Sequence, residues 1–273
     1  SDLQEAAGAE TLPAGPGEAP VRRAVGRLLH IDDHERISTY QRLLAGAAAP
    51  HVDRLPLRER RLLHMLAAAA GDQALTRDSS VQDAVNLLWS HPQVLAELQQ
   101  VLAVLDGRVD HVHRPLTTHL DVPLQIHARY SRIEILAAFG LGGGGKIAAW
   151  QSGVYEAKDA NAELLAFTLD KSSGGFSPTT RYRDYAISRT LIHWESQSST
   201  RADSATGLRY RNQERDGRSI LLFTRLRADD RAFWFLGLAT YRGHVGEKPM
   251  AITWELAHPL SGDLYSAFAA AVA

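Results

Sequence analysis

The sequence predicts an α+β fold in which an N-terminal helical bundle precedes a C-terminal β-barrel. Apolar residues recur at helical spacing from Val21 to Leu105, whereas seven short segments rich in β-branched and aromatic residues follow Ile147. Short strands at this spacing are typical of a barrel or a closed sheet. A proline-containing connector without helical rhythm lies between the two halves, so we expect a helical domain at 21–112 and a barrel domain at 113–273.

The N-terminal stretch and the bundle differ in pattern. Residues 1–20 carry Gly, Ala, Pro and Glu without periodicity, so we expect a disordered linker there. Because the chain opens on Ser and not on Met, we also expect a fragment of a longer protein. Apolar residues three and four positions apart then predict four helices. These helices cover 31–44, 57–70, 80–89 and 92–106.

The pattern of the second half predicts one short helix followed by strands. Ser131 and Glu134 have the spacing of a capping box, which places a helix directly before the strands. Segments 220–223 and 233–236 are apolar on both faces, so we expect them in central strands. The seven predicted strands cover 148–155, 163–169, 191–196, 207–212, 219–226, 232–241 and 251–256. A chain beginning near His111 is expected to fold without the bundle.

Composition excludes several classes of protein. The chain has no cysteine, which rules out disulfides, zinc-thiolate sites and cysteine nucleophiles and indicates a reducing cytoplasm. No apolar run approaches the roughly 18 residues of a membrane span. We therefore expect a cytoplasmic protein without membrane contact. The formal net charge of −1 argues against a protein that coats nucleic acid indiscriminately.

Catalytic signatures are absent or incomplete. The GLGGGGK run at 140–146 has the spacing of a phosphate-binding loop, but Ile147 stands where that loop needs Ser or Thr, so we interpret it as a turn. Asp121, Glu156 and Lys158 could form a magnesium-dependent nuclease site if their carboxylates met on adjacent strands. A solvated turn also explains the Glu-x-Lys pair.

Four histidines lie in the connector: His111, His113, His119 and His127. The His-x-His spacing can bind a metal in a strand. No carboxylate spacing completes a recognisable site, so we expect solvated loop histidines and neither metal nor cofactor.

The stretch at 176–197 is the most distinctive segment of the chain. It holds three Arg, two Tyr, Phe, Trp, His and several hydroxyls in 22 residues. Guanidinium groups contact phosphates and aromatic rings stack on bases, so this composition is typical of a nucleic-acid surface. A polar loop on an all-β domain explains it equally well. Between Arg181 and Arg231, eleven arginines against seven acidic residues make the region locally basic.

Five motifs occur in an order known from one family: FSPTTRYRDYAIS, HWESQS, TGLRY, ILLF and GEKPMAITWEL. Together they resemble the C-terminal domain of SauUSI-like type IV (modification-dependent) restriction enzymes, which fuse a phospholipase-D-like nuclease to a superfamily-two helicase. The resemblance covers roughly 115–260, and the helical half is similar to the segment that joins the helicase to that domain. Glu195 stands where the family motif has a second Gln.

The resemblance implies an SRA/PUA-like barrel that recognises duplex DNA carrying 5-methylcytosine or 5-hydroxymethylcytosine by base flipping. It also implies that helicase and nuclease domains of the same full-length protein are partners. Because neither domain lies in this chain, no cleavage activity is expected of it. An assembly module that docks to the helicase without touching DNA is the competing interpretation, and a cryptic nuclease is a third.

Residue types and resemblance together point to one pocket and one backbone-binding surface. Aromatic rings with a carboxylate or amide suit an extruded base, whereas arginines and hydroxyls suit phosphates. The predicted pocket consists of Phe176, Thr180, Tyr182, Asp184, Tyr185, His193, Trp194 and Gln197. The predicted DNA-backbone contacts are Ser177, Thr179, Arg181, Arg183, Ser196, Ser198, Arg209 and Arg211.

Overall fold

The structure, a computed structural model, describes residues 15–71, 75, 78–118, 120–143, 150, 152–170 and 184–272. These residues form an α+β fold with eight α-helices and a large mixed sheet, which confirms the predicted class at this level. No helix among them is long and apolar enough to cross a membrane.

Five helices form the N-terminal half: α1 (Glu18–Val25), α2 (His34–Leu44), α3 (Leu57–Gly71), α4 (Val81–Trp89) and α5 (Pro92–Asp106). The four predicted helices are confirmed as α2 to α5, because their start signals are local. Asp33 caps α2, Ser80 begins α4 with a capping box, and Pro92 is the first residue of α5.

Helix α1 begins inside the stretch that was predicted to be a linker. Its first residue, Glu18, accepts the Gly15 amide at 2.9 Å and pairs with Arg22 at 2.7 Å. The linker prediction is therefore wrong for 15–20, and its remainder, 1–14, lies outside the described residues.

The second half alternates strands with three helices. In chain order these elements are β1 (Arg114–Pro115), β2 (Gln125–Ile126), β3 (Arg129–Ser131), α6 (Arg132–Ala138), β4 (Val154–Ala157), β5 (Ala162–Asp170), β6 (Tyr185–Ala186), β7 (Leu191–Glu195), α7 (Ala205–Arg211), β8 (Ser219–Arg227), β9 (Ala232–Val245), β10 (Ala251–Leu256) and α8 (Gly262–Val272). The predicted capping box at Ser131 begins α6. Strands β5, β7, β8, β9 and β10 confirm five predicted strands, whereas β4 begins later than predicted.

The large sheet has the strand order β4-β5-β8-β9-β10-β7-β6, and β3 pairs with β9 outside this path. Strands β5 and β8 run parallel, and the other neighbours run antiparallel. The predicted barrel is not closed in the part of the chain that the structure describes, because the end strands β4 and β6 do not pair there. Helix α8 instead contacts both β5 and β6, so a helix covers the gap that strand pairing would close.

Residues 207–212, predicted as a strand, belong mainly to helix α7. The Ser204 side chain caps this helix by accepting the Gly207 amide at 3.1 Å. A Cβ at Gly207 would lie 2.2 Å from the Arg201 carbonyl oxygen, so the first turn of the helix needs glycine. The alternation of Leu208 and Tyr210 misled the prediction, because in the helix Tyr210 is buried and Leu208 is exposed.

A single apolar core joins the helical half to one face of the sheet. It includes Leu66 from α3, Ile135 from α6 and Phe223 from the central strand β8. The two predicted domains are therefore not separated by a packing boundary. Because removing the bundle would expose this core, the prediction that the chain folds from about His111 alone conflicts with the structure.

Buried charges join the same two halves. Arg36 on α2 and Glu134 on α6 have fully buried side chains, and Arg36 Nη1 donates to Glu134 Oε1 at 3.0 Å. Arg36 also donates to Asp33 and to the Arg129 carbonyl oxygen. The other oxygen of Glu134 lies 2.6 Å from His30 Nε2. Burial acts to raise the pKa of Glu134, but His30 and Arg36 outweigh it and lower the pKa to about 2, so the carboxylate is charged at the junction.

A second core lies on the opposite face of the sheet. Its centre is formed by Trp194, Tyr210 and Trp254, whose ring centroids are 5.6 to 6.4 Å apart. Phe268 of α8 packs edge-on against Trp234 at 5.8 Å. Strand β8 lies between the two cores, which confirms the prediction that 220–223 is central and apolar on both faces.

Candidate nucleic-acid interface

The predicted site is divided between described residues and a segment outside them. Phe176, Ser177, Thr179, Thr180, Arg181, Tyr182 and Arg183 lie outside the described residues. The other predicted residues lie on or beside β6, β7 and α7.

Tyr185 and His193 form a stacked aromatic pair at the edge of the sheet. They are direct partners in the β6–β7 ladder. Their ring centroids lie 4.6 Å apart, and the ring planes differ by 12°. Tyr185 is 37% exposed, so part of its ring remains accessible for another planar group to stack on.

Asp184 is held inside the structure and does not face open solvent. It is 4% exposed, and its Oδ1 accepts the Glu195 amide at 2.9 Å. This bond ties the start of β6 to the end of β7. The prediction of Asp184 as a pocket residue therefore needs correction, because burial and this bond limit its access to a ligand.

Trp194 lies on the opposite face of β7 from His193. It is 3% exposed and packs edge-to-face on Tyr210 in the second core. Successive residues of a strand point to opposite faces, so His193 and Trp194 cannot line the same surface pocket. The prediction of Trp194 as a pocket residue is wrong for this reason.

The loop after β7 combines one structural hydroxyl with two accessible polar residues. Ser196 is fully buried, and its Oγ accepts the Met250 amide at 2.9 Å, so it ties this loop to the residue before β10 and is not accessible to the DNA backbone, contrary to the prediction. Gln197 is half-buried and Ser198 is exposed. These two residues continue the chain directly beyond the strand that carries His193.

Arg209 is engaged by carboxylates of the same chain. Its Nε donates to the fully buried Glu163 at 2.6 Å, and a second carboxylate, Glu156, lies 3.6 Å away. Arg218 donates to the same Glu163 oxygen at 3.3 Å. Burial raises the pKa of Glu163, although both arginines oppose this. The prediction that Arg209 binds phosphate is therefore wrong for this arrangement, whereas Arg211, at the end of α7, is exposed.

The residues of the nuclease alternative are not assembled into a metal site. Glu156 on β4 pairs with Arg218 at 3.3 Å, and Lys158 is exposed in the following turn. Asp121 lies in the connector, where its carbonyl oxygen accepts a hydrogen bond from Arg61 of α3. Within the described ranges, no group of three or more His, Asp or Glu side chains is placed to hold a metal ion.

The connector histidines are more enclosed than predicted. His111 pairs with Asp263 at 3.0 Å, and His119 lies outside the described residues. His127 is 7% exposed with a left-handed backbone at φ 73°, and burial, aided by the charge of His113, lowers its pKa to about 4. The prediction of solvated loop histidines is wrong for His127, because this residue is buried.

Comparison with known protein families gives one match. A model of the domain of unknown function DUF3427 matches residues 124–268, more than half of the chain. The chain belongs to the DUF3427 family. No curated protein matches the sequence. The resemblance to type IV restriction enzymes with an SRA-like barrel stays a prediction, because the DUF3427 description names no activity.

The DUF3427 region contains the large sheet, and the N-terminal bundle lies before it. Two of its arginines that sequence reasoning did not select, Arg132 and Arg225, lie against the ring of Phe233. Arg225 and Arg227 alternate at the end of the largely apolar strand β8, and this pattern could have identified Arg225 as a candidate site residue. No sequence pattern identified Arg132, because it is simply the residue that follows the capping residue of α6.

Proposed function

We propose that this chain binds duplex DNA and recognises 5-methylcytosine or 5-hydroxymethylcytosine in it, as the target-recognition part of a larger type IV restriction enzyme. The stacked pair of Tyr185 and His193 is the observation that carries the proposal. DUF3427 domains occur in helicase-associated proteins, which agrees with a helicase as a partner in the same full-length protein.

The position of the pair supports stacking on an extruded base. Among the described residues, β6 is the last strand of the sheet and has helix α8 against it, so a nucleotide can approach the pair without displacing another described strand. Tyr185 presents an accessible ring, and His193 supports it at 4.6 Å. Base stacking on aromatic rings contributes about 1–3 kcal/mol per base. Gln197, just beyond β7, supplies an amide that can donate to or accept from a base edge.

Local charge supports the same surface. The net charge of −1 gives no general attraction to DNA, so binding must depend on a few well-placed cations. Arg181 and Arg183 stand directly before Asp184 in the sequence, and Arg211 is exposed on α7. Arg209 is not counted among them, because Glu163 already neutralises it.

Titration of three duplexes of identical sequence, carrying cytosine, 5-methylcytosine or 5-hydroxymethylcytosine, tests the proposal. Tyr185→Ala is expected to lose about 1–3 kcal/mol on the preferred modified duplex and to keep weak binding to the plain one. Tyr185→Phe retains the ring and should bind as wild type. His193→Ala is expected to lose part of the same preference, because His193 supports the Tyr185 ring, and His34→Ala, a histidine exposed on the bundle, is its control.

The outcomes separate the proposal from its alternatives. A folded Tyr185→Ala variant that keeps the full preference for the modified duplex would remove the stacked pair from the reading site. If wild type binds none of the duplexes, the assembly module becomes the better interpretation. Cleavage by this chain alone when magnesium is added would instead establish the nuclease.

A further inference from the structure

Two half-buried arginines lie against one aromatic ring, that of Phe233 near the start of the central strand β9. Arg132 begins α6 and Arg225 lies near the end of β8. Their guanidinium carbons lie 5.4 and 4.8 Å from the centroid of the Phe233 ring. Arg132 also lies 5.3 Å from the Trp150 ring. Both cations thus contact the same aromatic ring.

Neither arginine forms an ion pair within the described part of the chain. The nearest acidic side chains, Asp229 and Asp230, are engaged by Arg227, which pairs with the first at 3.6 Å and donates its amide to the second at 3.2 Å. Burial lowers the pKa of Arg132, and the charge of Arg225 adds to this effect. Among the described residues, the two arginines therefore lie at one ring without an ion pair to either, although the charges of Asp230 and Asp229 act on Arg225.

Each guanidinium has one side fixed and one side available. Arg132 Nη1 donates to the Trp150 carbonyl oxygen at 3.1 Å. Arg225 Nε donates to Thr168 Oγ1 at 2.9 Å, and its Nη1 donates to the Asp230 carbonyl oxygen at 2.5 Å. The Nε of Arg132 is buried and has no hydrogen-bond partner. Among the described residues, nothing accepts from the Nη2 group of either side chain. The fixed N–H groups orient the two planar guanidinium groups. The remaining N–H donors can bind a planar or tetrahedral oxyanion.

The energetics favour a ligand at this position. An unpaired charge that loses its water destabilises the folded state unless a partner is supplied. Arg36, by comparison, is fully buried and bonds to two carboxylates. The same chain thus neutralises a buried arginine where its role is structural. Arg132 and Arg225 have no ion pair among the described residues, and only Arg225 has acidic side chains, Asp230 and Asp229, close enough to act on it.

We propose that Arg132 and Arg225 together bind a phosphate group, and that a phosphodiester of the bound DNA supplies it. The assignment of this phosphate to DNA rests on the proposed function. The phosphate chemistry does not, because a free phosphorylated ligand would use the same donors. Thr168 lies two residues before the end of β5, so the site adjoins, along the sequence, the arginine-rich segment that leads to Tyr185.

Substitutions to Gln on the full chain test the site. Arg132→Gln and Arg225→Gln remove the charge, and Arg227→Gln is the matched control, since it lies on the same strand but is already paired with Asp229. Inorganic pyrophosphate is expected to raise the melting temperature of wild type and Arg227→Gln but not that of the two site variants. Duplex binding by each site variant should weaken about tenfold, and its salt slope should fall by about 0.9.

Two further measurements keep folding apart from binding. Because neither arginine forms an ion pair among the described residues, the site variants are expected to melt without ligand close to the wild-type temperature. Arg132→Lys and Arg225→Lys keep the charge and the aliphatic part of the side chain but lose the planar guanidinium group. Pyrophosphate should therefore raise their melting temperature less than it raises that of wild type. Their folded state can be compared directly with the Gln variants.

The results distinguish this site from the proposed function. If site variants respond to pyrophosphate and salt as Arg227→Gln does, the phosphate site is wrong, even when Tyr185 still reads modified DNA. If wild type responds to pyrophosphate but binds no duplex, the phosphate site stands, its ligand is a free phosphorylated molecule, and the DNA proposal fails.

Discussion

Replacing Glu134 with Gln tests whether buried charges hold the helices to the sheet. The substitution keeps the shape of the side chain but removes the charge that faces Arg36 and His30. Arg36 would retain Asp33 as its fully buried counter-charge. Loss of one partner from a buried pair costs about 3–5 kcal/mol of folding free energy. The fall in the pKa of Glu134 from 4.5 to about 2 corresponds to about 3 kcal/mol, which agrees with that range.

The effect has a definite dependence on pH. The Glu134 carboxyl binds its proton less tightly in the folded chain than in the unfolded chain, because its pKa is depressed on folding. Its contribution to stability is therefore fully present above about pH 4.5 and is lost as the pH falls towards 2. The difference in unfolding free energy between wild type and Glu134→Gln should be largest near pH 7 and should shrink by about 3 kcal/mol on acidification.

Urea unfolding at several pH values measures this difference. Far-UV circular dichroism follows mainly the helices, and tryptophan fluorescence follows Trp254 and its neighbours in the second core. Because the helices share a core with the sheet, both signals should have one midpoint. Glu59→Gln is the control, since Glu59 pairs with Arg42 at the surface at 2.9 Å and should cost under about 1 kcal/mol. Equal losses in the two variants at pH 7, or separate midpoints, would refute the reasoning.

Two other substitutions address residues whose predicted environment was wrong. Trp194→Ala should lower the unfolding free energy by about 3–5 kcal/mol, because its ring fills the second core, and should leave the ratio of modified to plain DNA binding unchanged. A selective loss of binding to modified DNA would instead support the prediction that Trp194 is a pocket residue. His127→Gln should reduce the acid sensitivity of folding, because the buried ring binds its proton near pH 4 folded but near 6.5 unfolded, so wild type loses up to about 3 kcal/mol as pH falls through this window. An unchanged acid profile, measured by unfolding between pH 7 and 4, would assign that sensitivity to other groups.

Local signals explain which elements could be predicted. Asp33, Ser80 and Ser131 each fix the start of a helix through hydrogen bonds to residues three positions away. Pro92 fixes the start of α5 through its own restricted φ. The shared core and the junction could not be predicted in this way, because Arg36 and Glu134 are 98 positions apart and each has ordinary neighbours in the sequence. Pairing at that distance depends on the whole fold.

The candidate site shows the same limit, with one avoidable error. Tyr185 and His193 were selected by residue type, but their stacking depends on the β6–β7 register. His193 and Trp194 are neighbours in a predicted strand, so strand geometry alone places them on opposite faces. Arg209 could not be excluded in advance, because its counter-charge, Glu163, lies 46 positions earlier on β5.

The pairing of distant segments has a consequence for how the chain reaches its native state. Thr168 and Arg225, 57 positions apart, meet across the parallel β5–β8 pair, and α6 meets α2 across an even longer loop. Closing such loops costs chain entropy before any contact repays it, so folding is expected to be slow compared with that of a simple helical bundle. The bundle helices have nearby partners and leave the ribosome first. They therefore offer a ready apolar surface on which β8 and β9 can condense, and this limits the time during which 220–223 is open to association with other chains.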